Sequence, residues 1–93
     1  MRKFIGGISG RYSLTVDDKL HYQVYDHEKD RYSRRHYLTK NAAKTAKQNM
    51  ILEDKWKKLF KVGEANWTQS QIERAHKILT KIDANNLQLS LED

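Results

Sequence analysis

The chain has no cysteine, no proline and only four glycines among 93 residues. Without cysteine, disulfide bonds and thiolate metal sites are excluded, and a reducing compartment is the natural location. Without proline there is no proline-rich linker, and the sequence shows neither a low-complexity segment nor an internal repeat. A chain of this length predicts one small domain over residues 1–93, too small to enclose a deep pocket.

Long apolar runs are also missing. Residues 1–10 lack the apolar core of about 7 to 15 residues that a secretory signal requires. No segment approaches the roughly 20 apolar residues that span a bilayer. We therefore expect a cytoplasmic protein that makes no contact with membranes.

Positive charge is abundant and unevenly distributed. The formal net charge is +6, but residues 29–61 alone hold eleven Lys or Arg against three acids, a net charge of +8. A localised basic field favours phosphate groups, anionic lipid or an acidic protein as partner. The ordinary alternative is that the lysines of a helix form its solvated side, although Arg31, Arg34 and Arg35 crowd one short segment.

Alternating apolar residues predict three strands between residues 11 and 38. Tyr12, Leu14 and Val16 alternate with polar residues, and Asp17-Asp18 is a plausible turn. In the next run, three apolar residues would face the core, and the opposite face would hold His21, Gln23 and Tyr25. A third strand over residues 31–37 follows a polar loop. These segments predict a three-stranded antiparallel meander.

Two helices are predicted after the sheet. Thr39 is a suitable N-cap for a helix over residues 39–62, which would end before Gly63. Its apolar residues form two separate groups, so either the helix breaks near Glu53 or its two halves pack on different partners, with the alanines against the sheet. A capping box of Thr68 and Gln71 predicts a second helix over residues 68–84. Residues 85–93 are predicted to be a tail or a short strand.

The predicted fold class is therefore α+β, with a three-stranded antiparallel sheet packed on a helix and followed by a C-terminal helix. No phosphate-binding glycine loop occurs, and the four histidines lack the spacing of a zinc site. We expect no metal, no cofactor and no enzymatic activity. The one catalytic alternative is a ribonuclease, in which His21 and His36 on neighbouring strands would exchange protons with RNA.

Binding of nucleic acid agrees better with these residues. A ribbon of two or three strands fits the major groove of DNA, where Arg pairs with guanine and Gln with adenine. Lysines at the start of the helix would contact the flanking phosphates, and tyrosines could instead stack on unpaired bases. The predicted nucleic-acid-binding residues are Gln23, Tyr25, Arg31, Arg34, Arg35, Lys40, Lys44 and Lys47.

Three segments carry a resemblance to a known family: Tyr22-Gln23-Val24-Tyr25-Asp26, then residues 31–37, then residues 38–46 with their Thr-Lys and alanines. In this order they resemble the arm-type DNA-binding domain of phage tyrosine recombinases over residues 11–50. The resemblance implies a three-stranded sheet in the major groove, with Gln23, Tyr25, Arg34 and Arg35 facing the DNA. The acidic connection at residues 26–30, the helix after Thr68 and the lack of a catalytic domain depart from that pattern.

The sequence thus predicts a small non-enzymatic nucleic-acid-binding accessory or regulatory protein that contacts duplex DNA through a basic sheet face. The alternative is a phage-type interaction protein that inhibits a host nucleic-acid enzyme, with an acidic host protein as partner. The oligomeric state is left open by the sequence.

Overall fold

The structure, a computed structural model, describes residues 2–6 and 10–92. Its strands are β1 (Lys3–Ile5), β2 (Tyr12–Val16), β3 (Tyr22–Asp26) and β4 (Arg31–Tyr32), and its helices are α1 (Lys40–Val62) and α2 (Gln69–Glu92), with a 3₁₀ turn at Glu64–Asn66 between them. The α+β class predicted from the sequence is confirmed.

The chain forms two compact units, Met1–Lys47 and Gln48–Asp93. We call them the sheet unit and the hairpin unit. Helix α1 contributes residues to both units. The single domain expected over residues 1–93 therefore stays a prediction. Within the described part of the chain, no helix combines the length and the apolar character needed to cross a membrane.

The sheet is antiparallel, with strand order β1-β2-β3-β4, so the prediction of three strands is corrected to four. Strand β1 pairs with β2 through Lys3↔Val16, Phe4↔Thr15 and Ile5↔Leu14. A strand of three residues is too short to show an alternating pattern, and the glycines that follow it hid it in the sequence.

The register of β2 and β3 assigns each residue to a face of the sheet. Leu14 pairs with Val24, and Tyr22 forms a bridge with Tyr37, so these residues share one face. Leu14, Val24 and Tyr37 are buried, as are three alanines in the first turns of α1, namely Ala42, Ala43 and Ala46. Because this face is the apolar one, its burial together with that of the alanines indicates that the helix covers it. We call it the core face.

Helix α1 begins as predicted. Its N-cap is Thr39, whose hydroxyl accepts a hydrogen bond from the backbone N–H of Ala42 at 3.1 Å. The helix does not break near Glu53, which confirms the other alternative, in which its two halves pack in different places. The second half belongs to the hairpin unit, where Leu59 packs with Ala75 and Ile78 of α2.

Helix α2 also begins as predicted, because Thr68 and Gln71 exchange both hydrogen bonds of the capping box. The prediction of a tail or short strand over residues 85–93 is wrong, since α2 continues to Glu92. Asn85, which resembles a helix stop in the sequence, is buried and donates a hydrogen bond to Asn49 of α1 at 3.3 Å. Asn49 in turn donates to Asn86 at 2.8 Å. These paired amides offset the low helix propensity of asparagine.

Candidate nucleic-acid interface

The face of the sheet opposite the core face carries a group of rings. By strand alternation this open face holds Phe4, Tyr25 and Tyr32. Across the strands, Phe4 lies opposite Thr15, and Tyr25 lies between Ser13 on one side and Tyr32 on the other. Phe4 and Tyr32 are each 43% exposed, whereas Leu14 and Val24 on the core face are almost fully buried. Ser13, Thr15 and Gln23 on the open face are buried, at 2%, 0% and 8% exposure. The exposed part of this face therefore consists of the aromatic side chains on its outer strands.

These rings contact one another. Tyr25 lies in the middle, with its ring edge-on to Phe4 at 5.7 Å and to His27 at 4.9 Å between centroids. The ring of Tyr32 lies 4.9 Å from that of Tyr25, and Phe4 is stacked with His27 at 5.8 Å. We call these four residues, Phe4, Tyr25, His27 and Tyr32, the aromatic cluster.

Polar contacts hold the aromatic cluster in place. The Nε2 atom of His27 lies 2.8 Å from the hydroxyl of Ser13, which is only 2% exposed. A hydroxyl this buried is not accessible to a substrate, so the contact fixes the imidazole ring. The guanidinium of Arg2 lies 5.2 Å from the centroid of Tyr32, donates to the hydroxyl of Thr15 and pairs with Asp17.

A basic loop adjoins the open face at the β4 edge. Predicted as part of a continuous strand over residues 31–37, it is instead a bulge, because the N–H of Val24 bonds to the Ser33 side chain rather than to a carbonyl. The ladder resumes only at Tyr37, which bonds twice to Tyr22. Three exposed residues, Arg34, Arg35 and His36, therefore project opposite a single residue of β3. We call residues 33–36 the basic loop.

Gln23 supports the basic loop and does not face solvent. Its side chain is buried, and Nε2 donates to the carbonyl of Ser33 at 2.8 Å and lies 3.3 Å from His36 Nε2. The Ser33 hydroxyl donates to the carbonyl of Arg35 at 2.9 Å. The prediction that Gln23 faces DNA is thus corrected: the residue is on the predicted face, but its amide is used inside the protein.

Arg31 and the acidic connection are on the other face. In the strand register, Arg31 of β4 lies opposite Asp26 of β3, which lies opposite Tyr12 of β2. Arg31 and Asp26 are therefore on the same face as Tyr12, the core face. Asp26 forms an ion pair with Arg11 at 3.0 Å and also accepts the backbone N–H groups of Glu28 and Lys29. The side-chain hydrogen bond from Arg11 lowers the pKa of Asp26 to about 2. Asp26 is therefore part of the turn and lies on the core face, and Glu28 also pairs with Arg11, at 3.4 Å.

The three predicted lysines form a stripe on α1. Lys40, Lys44 and Lys47 recur at helical spacing, and the first two are exposed. At 3.6 residues per turn, their mean direction differs by roughly 160° from that of the buried helix residues, which are Ala42, Ala43, Thr45, Ala46 and Asn49. This lysine stripe therefore lies on the opposite side of the sheet unit from the aromatic cluster.

The structure thus divides the predicted site. Tyr25 lies on the open face, and Arg34 is exposed in the basic loop at its edge. The guanidinium of Arg35 lies 5.2 Å from the ring centroid of Tyr37, a residue of the core face. Gln23 is buried, and Arg31 lies on the core face. The lysine stripe is a separate surface. Sequence reasoning missed four further residues of the open face, Arg2, Phe4, His27 and Tyr32. For Tyr32 the available signal was its place in the predicted third strand over residues 31–37, whereas the three residues of β1 gave no signal for Phe4.

His21 and His36, the two residues of the ribonuclease alternative, are neighbours. Their ring centroids are 6.1 Å apart with perpendicular planes. The Nδ1 atom of His21 also lies 3.9 Å from a carboxylate oxygen of Asp17. Among the described residues, no three His, Asp or Glu side chains converge as a metal site would require.

The hairpin unit has a surface feature of its own. A groove of about 630 Å³ is lined by Trp56, Trp67, Ile72, Ala75, His76 and Leu79 together with Ala65. The rings of Trp56 and Trp67 are 5.8 Å apart, and the indole N–H of Trp67 donates to the carbonyl of Leu59 at 2.8 Å. This hydrogen bond ties the 3₁₀ connection to the end of α1.

The chain matches no protein-family model, no curated protein and no solved structure. The resemblance to the arm-type domain over residues 11–50 therefore stays an expectation that rests on its own residues.

Proposed function

We propose that the protein is a small non-enzymatic nucleic-acid-binding accessory or regulatory protein that uses the open face of its sheet together with the basic loop. The observation that carries this proposal is the basic loop, with Arg34 and Arg35 exposed, next to a sheet face that carries the exposed rings of Phe4 and Tyr32. The guanidinium of Arg35 lies 5.2 Å from the ring centroid of Tyr37 at the same edge of the sheet. Guanidinium groups bind phosphate oxygens bidentately, and aromatic rings contact bases.

The geometry of the basic loop supports this proposal. Its backbone is held by Gln23 and by the hydroxyl of Ser33, so the arginines are presented from a fixed base. The acidic connection is no obstacle, because Arg11 pairs with both Asp26 and Glu28. The charges of Asp26 and Glu28 are thus partly neutralised by Arg11, which reduces their repulsion of a nucleic acid.

The proposal predicts that affinity depends on the basic loop and not on the lysine stripe. The test compares Arg34→Ala/Arg35→Ala with Lys40→Ala/Lys44→Ala, because each double variant removes two positive charges from the same unit. We expect the arginine variant to bind labelled DNA or RNA at least about 10-fold more weakly, since charge-assisted phosphate contacts are lost. For this variant, the slope of log affinity against log salt concentration should become shallower by about 1 for each phosphate contact removed.

Binding is measured by fluorescence anisotropy at several salt concentrations, and circular dichroism confirms that each variant is folded. Failure of the wild-type protein to bind any oligonucleotide at low salt would refute the proposal. A larger loss in the lysine variant would move the interface to α1. The same samples, incubated with labelled RNA between pH 5 and 8, should leave it intact, whereas cleavage abolished by His36→Ala would establish the ribonuclease alternative.

A second candidate is the interaction protein of the sequence analysis. It is favoured by the groove of the hairpin unit, whose rim includes Ile72 and Leu79 at 36% and 41% exposure. An exposed apolar groove flanked by tryptophans is typical of protein-binding surfaces. If no oligonucleotide is retained at low salt, this groove becomes the leading surface.

A further inference from the structure

We propose that the open face binds unpaired bases, so that the protein prefers single-stranded nucleic acid to duplex. This inference rests on the proposed function and specifies the form of nucleic acid that is bound. It departs from the duplex DNA expected from the sequence because of what the open face presents.

The open face presents ring surfaces and not side chains that hydrogen-bond to the edges of paired bases. Gln23, the predicted partner of adenine, is 8% exposed and donates its amide to Ser33. What remains exposed is the outer part of the aromatic cluster, with Phe4 and Tyr32 at 43% each. Bases inside a duplex are already stacked on one another, so only unpaired bases offer their faces to these rings.

The aromatic cluster is rigid enough to act as a stacking platform. Tyr25 is held edge-on between Phe4 and His27, and the buried hydroxyl of Ser13 fixes His27. The outer rings thus have supported positions before a ligand arrives, which reduces the entropy lost on binding. Three strand spacings of about 4.8 Å separate β1 from β4, so the face is wide enough for two or three bases.

Cations lie where the phosphates of a single strand would run. Arg2, which also pairs with Asp17, lies over Tyr32 within the open face, and Arg34 is exposed in the basic loop. Arg35 is exposed in the same loop, with its guanidinium 5.2 Å from the ring centroid of Tyr37. A strand with its bases on the rings would place its backbone along the basic loop. The open face therefore complements both parts of a single-stranded ligand, its bases and its phosphate charge.

The test measures anisotropy of four labelled probes: a 12-nucleotide single strand of DNA, the same strand as RNA, a hairpin duplex of the same sequence, and an abasic single strand of the same length. The abasic probe keeps the phosphates and removes the bases. We expect the ordinary single strand to bind at least about 10-fold tighter than the duplex or the abasic strand, because only it can stack.

The variants remove ring faces while keeping apolar bulk. Phe4→Leu and Tyr32→Leu should each weaken single-strand binding about 10-fold and leave duplex and abasic binding unchanged, whereas Tyr32→Phe should retain affinity. Phe60→Leu is the matched control, because Phe60 is 70% exposed in the hairpin unit and should have no effect.

The outcomes separate this inference from the proposed function. Duplex binding as tight as single-strand binding, with no loss in Phe4→Leu or Tyr32→Leu, would overturn the inference and leave the proposed function standing. Absence of binding to all probes would overturn both. An equal loss in Phe60→Leu would show that the rings of the open face have no special role, and it would also overturn the inference.

Discussion

At the scale of single residues, the turn between β2 and β3 contains an unusual position. Leu20 has a φ of 61°, in the left-handed region that favours glycine. The turn is closed by Asp17, whose carboxylate accepts the backbone N–H groups of Lys19 and His21, both at 2.9 Å. Leu20 itself is 66% exposed, so its side chain adds little to offset the backbone strain.

Replacing Leu20 by glycine should therefore stabilise the protein. A left-handed residue with a Cβ costs about 1–2 kcal/mol, and part of that gain is lost to the greater entropy of glycine in the unfolded chain. We expect Leu20→Gly to raise the free energy of unfolding by about 0.5–1 kcal/mol, measured by urea denaturation. Leu20→Ala keeps the Cβ and should give no such gain. If both variants lower stability, the side chain of Leu20 is needed.

At the scale of secondary-structure elements, the bulge after β4 depends on one buried amide. Gln23 donates to the Ser33 carbonyl at 2.8 Å and contacts His36. The bulge turns a predicted strand into a loop that projects two arginines. The shape of this edge thus depends on a hydrogen bond made by a side chain from the adjacent strand.

We predict that Gln23→Leu destabilises the protein by about 1–2 kcal/mol, because it leaves a carbonyl without its donor. It should also weaken binding of oligonucleotides by a similar factor for every sequence, since the basic loop loses its support. Thermal melting and anisotropy on several sequences would measure both effects. A loss confined to sequences rich in adenine would show instead that Gln23 contacts bases, as first expected from the sequence.

At the scale of the whole molecule, stability should depend on pH through groups of the sheet unit whose pKa is shifted. Arg11 lowers the pKa of Asp26 to about 2 from an ordinary 3.8. A carboxyl with a lowered folded-state pKa contributes fully above its unfolded value and loses that contribution as the pH falls toward 2. Burial raises the pKa of Tyr37 above 10.0, so its contribution is present below pH 10 and is lost as the pH rises further.

The predicted stability curve is therefore flat near neutral pH and falls at both ends. Arg11→Ala should lower stability at pH 7 by about 1 kcal/mol and make the fall between about pH 4 and pH 2 shallower, because the pKa of Asp26 returns toward its ordinary value. Urea denaturation across pH measures this. An unchanged acid limb in Arg11→Ala would show that another group causes it, for which Asp17, whose pKa is also lowered, is the candidate.

The sequence carried enough local information for the class of fold and for the starts of both helices. The caps at Thr39 and Thr68 were readable because capping uses residues within three positions of each other. The alternation of Leu14 and Val24 with polar neighbours likewise marked the faces of the central strands. The sequence did not reveal β1, because three residues cannot display a period. It also predicted that α2 ends near Asn85, which is wrong, because the buried amide pair of Asn85 depends on a partner 36 positions away.

The sequence by itself determined how many cations the chain carries and which strand residues share a face, since both follow from composition and from the period of two. Only the tertiary structure decided where those cations point. The lysine stripe and the aromatic cluster lie on opposite sides of the sheet unit, because α1 packs on the core face and turns its lysines away from it. Gln23 supports the basic loop for a similar reason. Its acceptor, the Ser33 carbonyl, comes within hydrogen-bonding distance of its amide only when the chain has folded back.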